Sequence, residues 1–228
     1  MAEKKKVEIL HSPKGVAKWV NVREPQRSIK TAEGVKPVNP NYSVTLLLDP
    51  AIEDTTKFIQ SLRDANDAGF SAANKANPKQ KLQKMDMKVE DEQDKDGNLT
   101  GKLAIRFKCK AEGVRKDGTA WTNRPGVLDA KGNHIPKDVL IYGGSVIKVA
   151  FDIKHTAMPT GAFYTSFNLQ AIRVYVLKSQ SDRDAAFYGF ASEEEGYEVD
   201  GAGEPAGESF TEGAAAPAGG APTSGVEF

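Results

Sequence analysis

GKLAIRFKCK, residues 101–110, is the stretch on which the reading of the fold turns. Leu103, Ile105, Phe107 and Cys109 alternate with Lys102, Ala104, Arg106, Lys108 and Lys110. Successive side chains of a β-strand point to opposite faces. One face of this strand is therefore apolar, and the other is a row of four cations. A solvated outer face is the ordinary explanation of exposed charge, but such faces usually mix signs. No acid interrupts this row, and Arg115, Lys116 and Arg124 extend it.

Neighbouring segments repeat the alternation. In SVIKVAFDIK, residues 145–154, Ile147, Val149, Phe151 and Ile153 face one way; Lys148, Asp152 and Lys154 face the other. Residues 163–177 begin the same way, but the apolar phase shifts near Gln170–Ile172. A β-bulge accounts for such a shift and is common where a sheet curls into a barrel. Residues 14–23 and 42–48 also read as strands, and 119–129 and 139–142 as weaker ones. A polar loop with Pro25, Pro37 and Pro40 separates the first two, and another polar stretch spans 77–100. Asp49-Pro50 supplies a good cap and first turn for a helix. Phe58, Ile59, Leu62 and Ala65 form its apolar stripe, and it is expected to fade near Gly69 and to end before Pro78. The pattern predicts a mainly β protein: a small barrel with one substantial helix packed at its side or end.

Charge is divided unequally along the 228 residues, although the formal total is zero. Residues 191–228 hold nine acids and no lysine or arginine. All 31 basic residues precede them, against the remaining 22 acids. A basic body attracts polyanions, and an acidic tail can compete for the same surface. The tail is rich in Ala, Gly, Pro, Glu and Ser, with too few large apolar residues to offset ordering entropy. Residues 1–190 are thus expected to form one domain, and 191–228 a disordered acidic tail. The single cysteine, Cys109, excludes an intrachain disulfide framework and a four-cysteine zinc site. The N-terminal MAEKKKVEIL lacks the apolar run of a signal peptide, and nothing approaches a membrane span. A soluble intracellular protein with no membrane contact is expected.

Basic strand faces with interleaved aromatics suit single-stranded nucleic acid: cations track phosphates and flat rings stack on unpaired bases. Trp121, in the turn-rich DGTAWTNRPG, is either a stacking ring or an apolar plug at a barrel end. Trp19, flanked by valines and near Lys18, reads as core before it reads as a stacking residue. Tyr164 shares a face with Ser166 and Asn168, opposite Phe163 and Phe167. The candidate contact residues are Lys18, Trp19, Lys102, Arg106, Lys108, Lys110, Arg115, Trp121, Arg124, Lys148, Lys154 and Tyr164. His11, His134 and His155 show neither metal nor triad spacing, and no phosphate or dinucleotide fingerprint is present. The acidic turn at 92–103 has Leu103 where a calcium loop needs a bidentate acid. No catalytic residue, metal or cofactor is assigned, and no enzyme is expected.

The basic body, the acidic tail and the terminal Phe228 together resemble the single-stranded DNA-binding proteins of tailed bacteriophages. YSVTLLLDP before a helix, NRPGVLDAKGNHI, and IYGGSVIKVAFDIK before a late strand occur in the order seen in one such family. The resemblance covers roughly residues 7–178. It implies an OB-fold and sequence-independent coating of single-stranded DNA in replication or recombination, in the cytoplasm of an infected bacterial cell. It also implies that Phe228 and Glu227 engage replication or recombination proteins. Here only Glu227 adjoins the terminal Phe, and most tail acids lie at 193–212. A single-stranded RNA-binding module and a protein–protein adaptor are the alternatives. A homodimer through exposed strand edges is compatible with the pattern.

Overall fold

In chain order the elements are β1 (Leu10–His11), β2 (Gly15–Thr31), β3 (Gly34–Leu48), α1 (Glu53–Ala76), β4 (Gln83–Lys84) and β5 (Val89–Gln93). They continue with β6 (Leu99–Lys110), β7 (Glu112–Val114), β8 (Ala120–Thr122), β9 (Gly126–Leu128), β10 (Val146–Ala157) and β11 (Ala162–Val176). The computed structural model describes residues 8–31 and 33–178. The expected tail, with Glu227 and Phe228, lies outside the described residues.

Five strands close a barrel. β2 pairs antiparallel with β3, β3 with β6, β10 with β11, and β10 with β2. A parallel bridge between Asn168 and Lys108 joins β11 to β6 and completes the ring. Around the barrel the five strands run first, second, third, fifth, fourth, the Greek-key order of an OB-fold. The expected fold class is the observed one.

The alternation in residues 101–110 is realised as read. Ile105, Phe107 and Cys109 are buried, while Lys102, Arg106, Lys108 and Lys110 are exposed. Phe107 and Phe151 meet with ring centroids 4.9 Å apart. Phe167 stands 5.7 Å from Phe151, and Phe58 brings α1 onto the same ring at 6.0 Å. Val44, Leu46, Leu48, Ile147, Val149, Leu169 and Ile172 complete the core. The bulge expected near Gln170 is present: Ala150 pairs with Ala171 and Phe151 with Leu169, so Gln170 is the extra residue.

Other expectations are corrected. The helix starts at Glu53, not at Asp49-Pro50, because Asp49 Oδ1 accepts the Ala51 N–H (2.8 Å) and closes a separate turn. It also continues past Gly69 to Ala76. Gly69 is held there by packing, since a Cβ would lie 2.5 Å from the His155 ring. That ring stacks on Phe163 and bonds through Nδ1 to Thr165 Oγ1 (3.0 Å), which donates to Asn66 Oδ1 (2.6 Å). The proline-containing loop between the first two strands is instead a paired arm, with Gln26 opposite Asn41 and Ser28 opposite Pro37. A two-stranded ribbon has free edges, where proline is tolerated. Residues 139–142 form no strand; Ile141 is buried, and Arg23 Nε donates to the Val139 carbonyl (2.9 Å). Residues 119–129 divide into β8 and β9, and the polar stretch 77–100 contains β4 and β5. Among the described residues no helix is long and apolar enough to cross a membrane.

Two outcomes follow from this core. Phe151→Ala removes the ring shared by three others and should cost about 3–5 kcal/mol, read by chemical denaturation. Burial pushes the Cys109 thiol up from 9.0 to about 11. Between those values the unfolded chain has released the proton and the folded chain has not, so stability should fall as pH rises through that window. Cys109 should also stay unlabelled by thiol reagents at neutral pH until the chain unfolds.

Candidate nucleic-acid interface

β6 and its neighbours build a cleft on the outer face of the barrel. Register fixes the floor: Lys108 lies opposite Ser43 of β3 and bridges to Asn168 of β11, and Lys110 lies opposite Asn41. Lys154 projects from β10, one step beyond the Asp152–Asn168 pair. The chain leaving β6 is pinned by the Ala111 N–H to the Pro40 carbonyl (2.9 Å) and by the Asn123 N–H to the Ala111 carbonyl (2.7 Å). These bonds stand the β7–β8 hairpin up as a wall. Trp121 on that wall lies flat against Gly113, where a Cβ would come within 2.7 Å of the indole. Arg27 ties the hairpin to the β2 arm, donating to both Glu112 carboxylate oxygens (3.0 and 3.3 Å).

The resulting hollow encloses about 560 Å³ and is lined by Asn39, Asn41, Lys108, Cys109, Lys110, Trp121, Asn123, Lys154 and Asn168. Among the described residues, Lys108, Lys110 and Lys154 have no carboxylate partner within 4.0 Å. The nearby Asp152 is buried and accepts from the side-chain amides of Asn168 (2.6 Å) and Gln170, and it forms no ion pair with the cleft lysines. Asn41 Oδ1 and the adjoining Ser43 Oγ are buried without a protein hydrogen-bond partner. Such orphaned polar atoms are costly unless something completes them. Cationic amines, amide groups and one flat ring can together hold phosphates, base edges and a base face.

Of the residues picked from sequence, the cleft gathers Lys108, Lys110, Trp121 and Lys154. Arg106 continues the row, exposed and opposite Thr45. Lys18 is drawn elsewhere, because an acid remote from it in sequence interrupts this end of the row, and Lys102 is not among the residues that line the cleft. Glu92 of β5 takes Lys18 Nζ at 2.5 Å. Its carboxyl is held below the usual range by hydrogen bonds from Lys18 and then Thr100, with the charges of Lys18 and Lys102 adding to the effect. Arg115 sits at the tip of the β7–β8 hairpin, where its N–H closes the turn onto Thr119. Arg124 donates to the Arg23 carbonyl (2.6 Å), off the cleft. Lys148 lines a different hollow with Arg173 and Tyr175. Tyr164 is 40% exposed near the β10–β11 turn. The asparagines at 39, 41 and 123 were not legible, since an amide carries no periodic signal.

Trp19 overturns its reading as core. It is 71% exposed, and its φ of 53° places a bulky residue in the left-handed region. The cause is a bulge: β2 pairs in register at Lys18 with Thr45, then resumes at Asn21 with Ser43. Val20 stays partly buried and Val22 buried while the indole is turned outward, two strands from Arg106 and Lys108 on the same outer face. Lys18 Nζ lies 5.8 Å from its ring centre.

No protein-family model matches the chain, and no curated protein sequence matches it. Solved structures do. The single-stranded DNA-binding protein gp2.5 encoded by bacteriophage T7 is similar at a TM-score of 0.61 with 19% identity, over 85% of this chain and 99% of that one. The single-stranded DNA-binding protein of bacteriophage Enc34, solved with single-stranded DNA, gives a TM-score of 0.48 at 16% identity, over 78% and 95% of the two chains. At these identities the likeness to the T7 protein is one of fold.

Left-handed backbone costs a bulky residue about 1–2 kcal/mol. Trp19→Gly should therefore leave the barrel as stable or stabilise it by about 1 kcal/mol, measured as a shift in the denaturation midpoint. A clear loss of stability would mean that the indole supports the fold.

Proposed function

We propose that this chain is a sequence-independent single-stranded DNA-binding protein that coats and protects the strand during bacteriophage replication or recombination. The observation that carries the reading is the cleft, where three lysines without carboxylate partners surround an indole on the face that OB-folds use for oligonucleotides. The fold it shares with a single-stranded DNA-binding protein of a bacteriophage supports it. Lys108, Lys110, Lys154 and Arg106 neutralise phosphates, Trp121 stacks a base, and the exposed Trp19 offers a second ring along the outer face. Contacts to phosphates and to the face of a base require no particular sequence. Action is stoichiometric and needs no catalysis.

The acidic segment 191–228 acts as a competitor for the same cations and is displaced by DNA, which frees Phe228 and Glu227 to engage replication or recombination proteins. Residues 1–190 form the binding domain in this scheme, and the site of action is the cytoplasm of the infected cell.

Titration of labelled oligo-dT tests the proposal. Four neutralised phosphates on a single strand give a salt slope of roughly −3, at about −0.7 each. Trp121→Ala should weaken binding by about 1–3 kcal/mol with the slope unchanged. A truncation ending at Gly189 should bind more tightly than the full chain, with the difference vanishing at higher salt. Equal affinities would remove the competition and leave the binding. No salt-dependent binding by either form would favour an adaptor, and preference for the matched RNA oligomer would favour an RNA-binding module.

A further inference from the structure

A second cationic hollow lies on β10 and β11. Lys148 of β10 and Arg173 of β11 are direct partners in the antiparallel ladder. Like charges in that position destabilise a sheet. Neither has a carboxylate partner within 4.0 Å among the described residues. Lys14 adds a third charge, with its Nζ 4.2 Å above the Tyr175 ring. Lys148, Arg173, Tyr175 and His11 line a hollow of about 170 Å³ whose lining holds no acid. Asp129, in the neighbouring turn, is engaged by its own loop, accepting from the Lys131 and Asn133 N–H groups (2.8 Å each) and from the Asn133 side chain. An uncompensated cross-strand pair of cations is a cost that a bound polyanion turns into a gain.

We infer that this hollow is a second phosphate site, taking the sugar–phosphate backbone of a single strand that has left the cleft. The inference rests on the reading of the cleft given above. Lys154 and Asn168 bring one end of the β10–β11 ribbon into the cleft, and Lys148 and Arg173 stand at the other. Lys154 lies six residue steps along β10 from Lys148, about 20 Å at 3.3 Å per residue. Asp152 lies between, but its carboxylate is bonded to the ribbon's own amides. The Arg173 guanidinium suits paired phosphate oxygens, and Lys148 and Lys14 act as point charges beside it. A short strand fills the cleft alone, whereas a longer one reaches both sites.

The test compares oligo-dT of about five nucleotides with oligo-dT of about sixteen, the range of site sizes for one OB-fold. The full chain is used, as wild type and as the Lys14→Gln/Arg173→Gln double variant. For the long oligomer the variant should lose affinity, with a salt slope shallower by about 1.4, or about 0.7 per lost phosphate contact. For the short oligomer both affinity and slope should be unchanged. Equal loss on both lengths, or no loss on the long one, overturns the second site while leaving the cleft intact. If wild type binds neither oligomer, the cleft reading falls and this one with it. If the variant loses only binding of a peptide of residues 191–228 and keeps its affinity for the long oligomer, the hollow belongs to an acidic peptide and the proposal is overturned. Lys14 is exposed, so its single substitution serves as the second variant should the double one unfold.

Discussion

The contact between Phe107 and Phe151 sets the phase of everything around it. With these rings interlocked inside the barrel, β6 cannot slip by one residue, because a slip would bring Arg106 and Lys108 into the core and expose Ile105 and Phe107. The cost of burying unpaired charge is far larger than any gain in pairing. Apolar packing on one side of the strand is therefore what presents the cations on the other. The same reasoning holds for β10, where Phe151 inside places Lys154 on the outer face.

Closure of the barrel then converts a row of charges into a concave site. Antiparallel pairing alone would leave β6 beside β3 on a sheet open at one edge. The parallel bridge between Lys108 and Asn168 brings β11 to the other side and, through β11, Lys154 of β10. The bulge at Gln170 lets β11 curl while its inner face stays apolar before and after it. It also supplies the side chain that, with Asn168, holds Asp152. A feature that relieves a geometric mismatch in the core thus also fixes the position of the acid nearest the cleft.

Two aromatic rings are placed by opposite means. Trp121 is positioned by absence: Gly113 has no side chain, so the indole lies on the backbone of the facing strand. Trp19 is positioned by strain, turned outward by a bulge that needs a left-handed residue and has a tryptophan in that place. Strained backbone at an exposed aromatic is a common mark of a functional position, and glycine would be the less costly choice there if only the fold were at stake.

The mainly β class, the five long strands, the apolar stripe of the helix and the bulge in β11 were all determined by local pattern, because a period of two or 3.6 is written in adjacent residues. So was the face of Arg106, Lys108 and Lys110. The tertiary structure alone decided which cations share a site. Glu92, far from Lys18 in sequence, removes Lys18 from the free cations, and the β10–β11 ladder sets Lys148 beside Arg173 away from the cleft. It also decided that Trp19 is outside and that the proline-rich loop is a paired arm. Those outcomes depend on partners brought together by barrel closure. A one-dimensional pattern records which way a side chain faces along its own strand, but not what stands opposite once the strands have met.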